Sequence, residues 1–398
     1  MVEMNQAQKM GFSLKSARPL KWLKDNLFNT WYNALLTFLA LGLLYVAFKG
    51  TLEWALTEAD WRAIPANVEL LMVGTYPREE IWRVWASVYT LAFLSGVSGG
   101  LWGGTALRFS FTMGGLGLIL TVLPFGIATR GWLLGATDLV AVGVLLGRGR
   151  RKWRAWIIAG WVLSFPWIMI LLRGFDWVRF LPRVLTTQWG GLTLTLVLAA
   201  VGIAVSFPLG VLLALGRRSS LPALRGVSTL YIEVVRGAPL VTILFMAQVM
   251  VPIFLPDFRI DKILRAMIGL TLFSAAYMAE NVRGGLQGVP RGQYEAAQAL
   301  GLGYPLAMLL IILPQALRSV IPSIVGQFIS LFKDTSLVAI IGLLDLLGIA
   351  RSIIVNPNWL GRQAEVYLFA AIIYFIFSFS MSYISRKIEI KLGVGKRS

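Results

Sequence analysis

The sequence predicts an all-α integral membrane protein, and three observations support this fold class. Hydrophobic residues make up 57% of the 398 positions and charged residues only 14%, whereas soluble domains are about 45–50% apolar and about 25% charged. The apolar residues form long runs, and an α-helix needs roughly 20 such residues to cross a bilayer. Lys and Arg, which produce the formal net charge of +18, stand at the ends of these runs, as the positive-inside rule predicts. We therefore expect contact with membrane lipid and no binding of nucleic acid.

Ten apolar runs are long enough to be spanning helices. The run 131–147 is the weakest, because it is short and contains Asp138. We keep it because basic clusters on one side of a membrane must be separated by an even number of spans. With this run included, both termini and the Arg148–Arg154 cluster face the cytoplasm, and residues 49–83 lie outside. The ten predicted spans are near residues 28–48, 84–106, 110–129, 131–147, 155–173, 189–215, 238–256, 264–287, 315–333 and 364–385.

Several classes of site are excluded by composition. The chain has no Cys and no His, so it has no disulfide, no thiolate zinc site and no histidine proton relay. We expect neither a metal nor a cofactor. The first apolar run follows a basic N-terminus, but it is longer than a signal-peptide core and lacks a small-residue cleavage site, so an uncleaved anchor is expected.

One segment carries a complete motif. Pro290–Pro314 reads PRGQYEAAQALGLGYPLAMLLIILP. In it, Glu295-Ala296-Ala297 is followed by three residues and Gly301, and nine more residues lead to Ile-Ile-Leu-Pro. This spacing resembles the EAA loop of ABC importer permeases at every fixed position. The resemblance implies that residues 290–314 form a cytoplasmic loop that couples the permease to a separate ATPase. The implied coupling residues are Glu295, Ala296, Ala297 and Gly301.

The residues of this loop suit a short docking helix. Pro290 can begin a helix, where its missing N–H costs nothing, and Gly301 can end it. Glu295 near the start interacts favourably with the helix dipole. The small residues Ala296, Ala297 and Gly301 would let another backbone approach closely. The alternative is a plain cytoplasmic connector between two spans.

Further segments narrow the resemblance to the polar amino-acid permeases of the histidine/glutamine type. They are residues 188–215, Tyr231–Leu240 (YIEVVRGAPL), Ala276–Gly288 (AYMAENVRGGLQG) and Lys333–Leu337 (KDTSL). All of them lie after residue 185. We therefore expect two parts: residues 185–398, a type I ABC importer permease core of five spans, and residues 1–184, an extension of about five additional spans. The family's usual short N-terminus does not explain this extension, although some long members carry extra spans.

The resemblance implies a transport subunit of the bacterial cytoplasmic (inner) membrane that is not itself an enzyme. No G-x-x-x-x-G-K-[ST] sequence is present, so the chain has no P-loop for ATP. The implied partners are a cytoplasmic ABC ATPase dimer, an extracytoplasmic amino-acid-binding protein and a second permease, with a heterodimer favoured over a homodimer. Alternatives are a permease for another small solute such as an opine, an ion-coupled secondary transporter and a membrane-embedded enzyme.

Polar residues inside spans are costly and are therefore candidates for the transport path. A polar amino acid carries both an ammonium and a carboxylate, so its path needs hydrogen-bond donors and acceptors. Each candidate also has a structural alternative; for example, Glu280 and Arg283 lie three residues apart and would neutralise each other on one helix face. The candidates are Glu280, Asn281, Gln248, Asp334, Thr335 and Ser336.

Overall fold

The computed structural model describes residues 19–122, 126–254, 256–257 and 260–393. The basic residues before Pro19 and after Gly393 lie outside the described residues. The chain forms two units, Met1–Asp60 and Trp61–Ser398. In the first unit, helix α1 (Pro19–Leu27) is followed by α2 (Trp31–Glu53), which continues through a π-helical turn to Glu58.

Helices joined by loops form the part of the second unit that the structure describes, and its β-structure there consists of two isolated bridges, Phe175–Pro182 and Gly191–Asp345. Its first helices are α3 (Ala63–Val73), α4 (Ile81–Trp102), α5 (Gly104–Val122), α6 (Ile127–Gly147) and α7 (Arg154–Arg173). They are followed by α8 (Gly191–Arg217), α9 (Pro222–Gly237), α10 (Leu240–Phe245), α11 (Val251–Phe254), α12 (Lys262–Gln287), α13 (Arg291–Ala299), α14 (Tyr304–Ala307), α15 (Leu313–Asp334), α16 (Leu346–Ile354) and α17 (Gln363–Leu392).

The predicted membrane fold is confirmed. Among the described residues, nine helices are long and apolar enough to cross a bilayer, and a bent pair of helices would be a tenth. Every predicted span overlaps one of these helices, including the weak run 131–147, which is part of α6. The break before α6 comes earlier than predicted, since α6 begins at Ile127.

The bent pair corrects the predicted seventh span. The sequence predicts one span at 238–256, but α9 joins Leu240–Phe254 at an angle of 106°. The bend falls at Ala238 and Pro239, both in extended conformation, because a residue before proline avoids the helical region.

The predicted ninth span is also longer than expected. Residues 304–341 form one continuous run of 38 residues rather than the predicted 315–333. A π-helical turn at Met308–Ile312 joins α14 to α15, and a 3-10 turn at Thr335–Ile341 extends the other end.

Helices α4, α5, α6 and α7 pack through small residues. A Cβ built on Gly96 would collide with the carbonyl oxygen of Val140, and one built on Gly100 with that of Val144. Helices α4 and α6 are therefore in backbone contact, as small residues permit in membrane proteins. Ser110 Oγ donates to Ser95 O (2.7 Å), which joins α5 to α4.

The short helix α3 packs on the later helices. Its residues Ala63 and Leu71 share one buried apolar cluster with Leu346 and Ile349 of α16 and Val366 of α17. The turn after α3 touches the backbone just before α8, because any side chain at Gly74 would strike Gly190. Thr193 Oγ1 of α8 also donates to Met72 O (2.9 Å). The division at residue 185 stays a prediction, but buried apolar side chains on both sides of it pack together.

Helix α12 is the central helix of the later part. It packs along α8 and α15 and is buried on most of its length, including the polar residues Thr271 and Ser274. One apolar cluster surrounds its N-terminal half, with Leu194, Leu244 and Leu270 among its members. A second cluster surrounds its C-terminal half and includes Met278 and Ile312.

Candidate functional site

The EAA segment contains the short helix that its sequence predicts. Pro290 is the N-cap of α13, and the helix ends at Ala299. Gly301 follows in the left-handed conformation (φ 73°), in which glycine is favoured because it has no Cβ. The N–H of Leu302 donates to Ala297 O (3.1 Å) and that of Gly301 to Gln298 O (2.9 Å). These bonds close the helix end.

The four predicted coupling residues do not share one environment. Ala297 is fully buried within the chain, so its side chain is not available to a partner, contrary to the expectation that all the small residues leave room. Glu295 and Ala296 are exposed, and the adjacent Leu300 is 76% exposed. An ideal Cβ at Gly301 has open space around it. The exposed side of α13 therefore presents one carboxylate, small residues and one large apolar side chain.

Two hydrogen-bonded contacts hold α13 against spanning helices. Arg218 Nη1 donates to the hydroxyl of Tyr294 (3.2 Å), and the guanidinium lies 5.8 Å from the centre of the tyrosine ring. Gln315 Nε2 at the start of α15 donates to Gln293 Oε1 (3.0 Å). Together with buried Ala297, these contacts fix the inner side of α13 to α8 and α15.

Glu280 lies in a cluster of arginine side chains. Its carboxylate pairs with Arg217 Nη1 (2.6 Å) and Arg283 Nη2 (2.6 Å), and Arg236 Nη1 is 3.8 Å away. Arg217 pairs in addition with Glu233 (2.8 Å). The sequence indicated only the local pair with Arg283. Since the oxygens of Glu280 already accept from arginines, a substrate would have to compete with them, and the role of Glu280 in the path stays a prediction.

Asn281 and Gln248 join helices to one another. Asn281 Nδ2 donates to Ser323 O of α15 (3.4 Å). Gln248, in a π-helical turn after α10, donates through Nε2 to Lys262 O (2.7 Å), and its backbone oxygen accepts from Arg265 Nη1 (3.0 Å). Both side chains make contacts that position α12.

The remaining candidates lie where α15 passes into its 3-10 extension. Thr335 is fully buried, and its hydroxyl donates to Phe332 O (2.6 Å). The Ser336 hydroxyl donates to Lys333 O (2.8 Å). Asp334 is half-buried, and within the described residues its carboxylate forms no hydrogen bond or ion pair. Asp334 therefore has a free acceptor and is next in the chain to the exposed Lys333.

The structure does not bring the six path candidates to one place. Asn281 is level with Ser323, and Asp334 lies further along α15 by roughly 16 Å at about 1.5 Å per residue. Gln248 contacts the start of α12, which is roughly 27 Å from Glu280 by the same rise. The candidates therefore occupy different depths along the core, and their part in the transport path stays a prediction.

Sequence reasoning missed a buried carboxyl group, Asp345. It is fully buried as the N-cap of α16, where it accepts from the N–H of Gly348 (2.9 Å) and the hydroxyl of Tyr374 (3.2 Å). Burial raises the pKa of Asp345 to about 6, although these hydrogen bonds act in the opposite direction. An aspartate directly before an apolar helical segment is an N-cap signal that would have identified it.

A buried arginine was missed as well. Arg83 of α4 is fully buried, pairs with Glu80 (2.8 Å) and donates to Pro182 O (2.8 Å). It fixes the loop that leads into α8. Nothing in the local sequence distinguishes this arginine from those at other span ends.

Comparisons with known proteins agree with the family that the motif indicates, and they include a relative that matches almost the whole chain. The family described as "Binding-protein-dependent transport system inner membrane component" matches residues 206–392. The inner membrane amino-acid ABC transporter permease protein YhdY of Escherichia coli K12 is 42% identical over 402 residues, covering 96% of each chain.

Two more relatives show how far the similarity extends. The glutamate/glutamine/aspartate/asparagine transport system permease protein BztC of Rhodobacter capsulatus is 36% identical, covering 94% of this chain and 93% of its own length. The glutamate/aspartate import permease protein GltK of Escherichia coli O157:H7 is 36% identical over 223 residues, which is 54% of this chain and 98% of GltK. Similarity thus extends over the whole chain in long relatives, and over about half of it in short ones.

Proposed function

Because the chain belongs to the amino-acid ABC transporter permeases, we propose that it carries polar amino acids and receives the force for transport through α13. It is a multi-pass inner membrane protein and the permease subunit of an amino-acid ABC importer, not an ATPase. The observation that carries this conclusion is 42% identity over almost the full length of both chains.

The polar class of substrate is supported by the relatives and by the core residues. The names of BztC and GltK specify glutamate and aspartate, and that of BztC also glutamine and asparagine. The free acceptor of Asp334 beside Lys333 offers opposite charges to a zwitterion. The test is uptake of labelled L-glutamate, L-glutamine, L-aspartate and L-asparagine by the reconstituted importer, with L-leucine as the apolar comparison. Uptake of L-leucine alone would contradict the proposal.

Docking of the ATPase on α13 is supported by the division of this helix into two sides. The inner side is fixed through Tyr294, Gln293 and Ala297, whereas Glu295 and Leu300 remain exposed. A helix held on one side and free on the other can enter a groove of a partner. ATP can shift the permease between its inward- and outward-facing states only if the ATPase binds these states with different affinity.

The remaining partners follow from this class of transporter. An ABC importer of this kind works with an ATPase and a binding protein. We assign α13 to one subunit of an ATPase dimer, and a related, distinct permease to the second half of the membrane pore. The binding protein delivers the amino acid from the extracytoplasmic side.

The docking proposal predicts that two substitutions uncouple the complex. Gly301→Asp adds a charge and a side chain where a partner closes over α13, and overpacking typically costs about 1–3 kcal/mol. Since about 1.4 kcal/mol is a factor of ten, ATPase binding should weaken at least tenfold. Glu295→Lys reverses the exposed charge and should weaken it as well. The measurements are co-purification of the ATPase and amino-acid-stimulated ATP hydrolysis.

A matched control separates docking from backbone strain. Gly149 is also left-handed (φ 75°) and has open space around an ideal Cβ, so Gly149→Asp introduces the same strain and charge away from α13. It should leave ATPase association unchanged. Normal hydrolysis and transport by both Gly301→Asp and Glu295→Lys would show that α13 is not the docking site.

The proposed orientation places both termini and α13 in the cytoplasm. The chain has no cysteine, so single thiols can be introduced at Ser219 and Thr57. An impermeant reagent added outside intact cells should label Thr57→Cys and leave Ser219→Cys unlabelled. Ser219 should react once the cells are opened, and equal labelling of both sites from outside would contradict the orientation.

A further inference from the structure

Two consecutive arginines at the end of α8 contact three other helices. Arg217 is the last residue of α8 and Arg218 its C-cap. In the structure each makes a different set of contacts.

Arg218 links α8 to both α12 and α13. Its Nη1 donates to Leu286 O at the end of α12 (3.2 Å) and to the Tyr294 hydroxyl in α13 (3.2 Å). The Tyr294 hydroxyl in turn donates to Leu286 O (3.5 Å). One guanidinium therefore spans the junction between the last turn of α12 and the proposed docking helix.

Arg217 links α8 to α12 and to α9. Its contact on α12 is further from α13 along that helix than the contact of Arg218. Its two terminal nitrogens pair with two different carboxylates, Nη1 with Glu280 of α12 (2.6 Å) and Nη2 with Glu233 of α9 (2.8 Å). The side chains of Arg217 and Glu280 are only 24% and 14% exposed, so water screens this pair less than a surface ion pair. A planar guanidinium can make both contacts at once, whereas a lysine ammonium is a single point charge.

We propose that Arg217 and Arg218 form a clamp that makes α8 and α9 move together with α12 and α13. Displacement of α13 reaches α12 through the chain itself, and α8 packs along α12. Arg218 adds a direct polar link from the end of α8 to α13, and Arg217 ties α9 to the same group. Without the clamp, the end of α8, and α9 with it, would be free to lag behind α13 when the ATPase moves it. This inference rests on the proposed docking of the ATPase on α13.

The test measures amino acid transported per ATP hydrolysed in proteoliposomes that contain the complete importer with its ATPase, second permease and binding protein. The probes are labelled L-glutamate and L-glutamine. Arg217→Gln and Arg218→Gln should keep the ATPase bound and should lower transport per ATP at least fivefold. Arg217→Lys, which can keep one of the two carboxylate contacts, should fall between Arg217→Gln and the parent.

Controls of the same chemistry lie outside these contacts and outside the coupling loop. Arg225 is an exposed arginine of α9 and Tyr383 an exposed tyrosine of α17. Arg225→Gln and Tyr383→Phe should leave transport per ATP unchanged. A loss of equal size in these controls would overturn the clamp, because it would mean that any loss of an exposed arginine charge or tyrosine hydroxyl uncouples the importer.

A milder variant covers the case in which Arg217→Gln does not assemble. Tyr294→Phe removes only the hydroxyl that accepts from Arg218 and keeps every ion pair, and it should lower transport per ATP at least twofold. Unchanged transport per ATP in Tyr294→Phe, or in both assembled arginine variants, overturns the clamp. If Glu295→Lys still loses the ATPase in that case, docking on α13 stands and only the clamp fails. If Glu295→Lys and Gly301→Asp keep the ATPase bound and coupled, the docking proposal fails as well.

Discussion

Helices α4 to α7 and the helices around α12 are stabilised in different ways. In the first group, backbones touch at Gly96 and Gly100, and the polar contacts between helices are single hydrogen bonds, from a hydroxyl to a carbonyl oxygen or from an indole N–H to a hydroxyl. In the second group, a small residue also brings backbones together, since a Cβ on Gly285 of α12 would collide with Ala316 O of α15. Here, however, charged side chains from α8, α9 and α12 meet around Glu280 as well. Backbone packing through small residues permits few alternative positions. An ion-pair network can break and form again, which suits the part of a transporter that has to move.

The turn at Gly74, where the two groups meet, should be the most sensitive position. Gly74 has φ 66°, and an added Cβ would strike the backbone of Gly190. Gly74→Val therefore combines the strain of a sparsely populated positive φ, about 1–3 kcal/mol, with overpacking of about 1–3 kcal/mol. We expect little folded protein, measured as the yield of monodisperse protein in detergent. Gly149 has a similar φ but open space around an ideal Cβ, so Gly149→Val should lower the yield only through the strain of the positive φ. Equal yields from the two variants would contradict the backbone contact between Gly74 and Gly190.

Disruption of the α4–α6 contact should have an intermediate effect. Gly100→Leu places a large side chain where the carbonyl of Val144 already lies, with an expected cost of about 1–3 kcal/mol. The thermal midpoint in detergent should fall, while transport per ATP by the protein that remains folded stays normal. Gly115→Leu in α5 is the control, because nothing lies within 4 Å of its ideal Cβ. A change in transport per ATP at normal stability would show that these helices take part in the transport cycle.

The smallest expected effect concerns the pH dependence of stability at Asp345. Burial raises the pKa of Asp345 to about 6, whereas an unfolded aspartate has a pKa of about 3.9. Between these values the folded state binds the extra proton, so stability falls as pH rises from about 4 to about 6 and is level above that range. Asp345→Asn keeps a cap oxygen and should remove this slope. Thermal midpoints measured across that range test it, and an unchanged slope would assign the titration to another group.

The parts of the fold that depend on local pattern could be predicted from the sequence. Apolar runs identified the spans, because a bilayer imposes a minimum helix length. The ends of α13 followed from Pro290 and Gly301, whose backbone preferences are intrinsic. The short helices α3 and α16 were not predicted, since they are too short to cross a membrane and pack only against other helices.

The contacts of the candidate site depend on tertiary structure, so most of them could not be predicted from the sequence. Glu280 and Arg217 are 63 residues apart in the chain, and their pairing follows from the packing of α8 against α12. The same reason explains why the sequence could not assign the six path candidates to their different depths along the core. Asp345 could have been identified as a cap, but its contact with Tyr374 could not.

The bend between α9 and α10 has a consequence for the surrounding lipid. Beyond the bend, the arm Leu240–Phe254 has 15 residues and is roughly 22 Å long at about 1.5 Å per residue. The hydrocarbon layer of a bilayer is about 30 Å thick. A segment shorter than this layer is accommodated by local thinning of the bilayer or by flanking side chains that extend to the interface, each at a modest cost in free energy. Where this arm crosses the bilayer by itself, the importer carries a hydrophobic mismatch beside α10 and α11, and the length of the acyl chains around it becomes a determinant of how easily the arm moves.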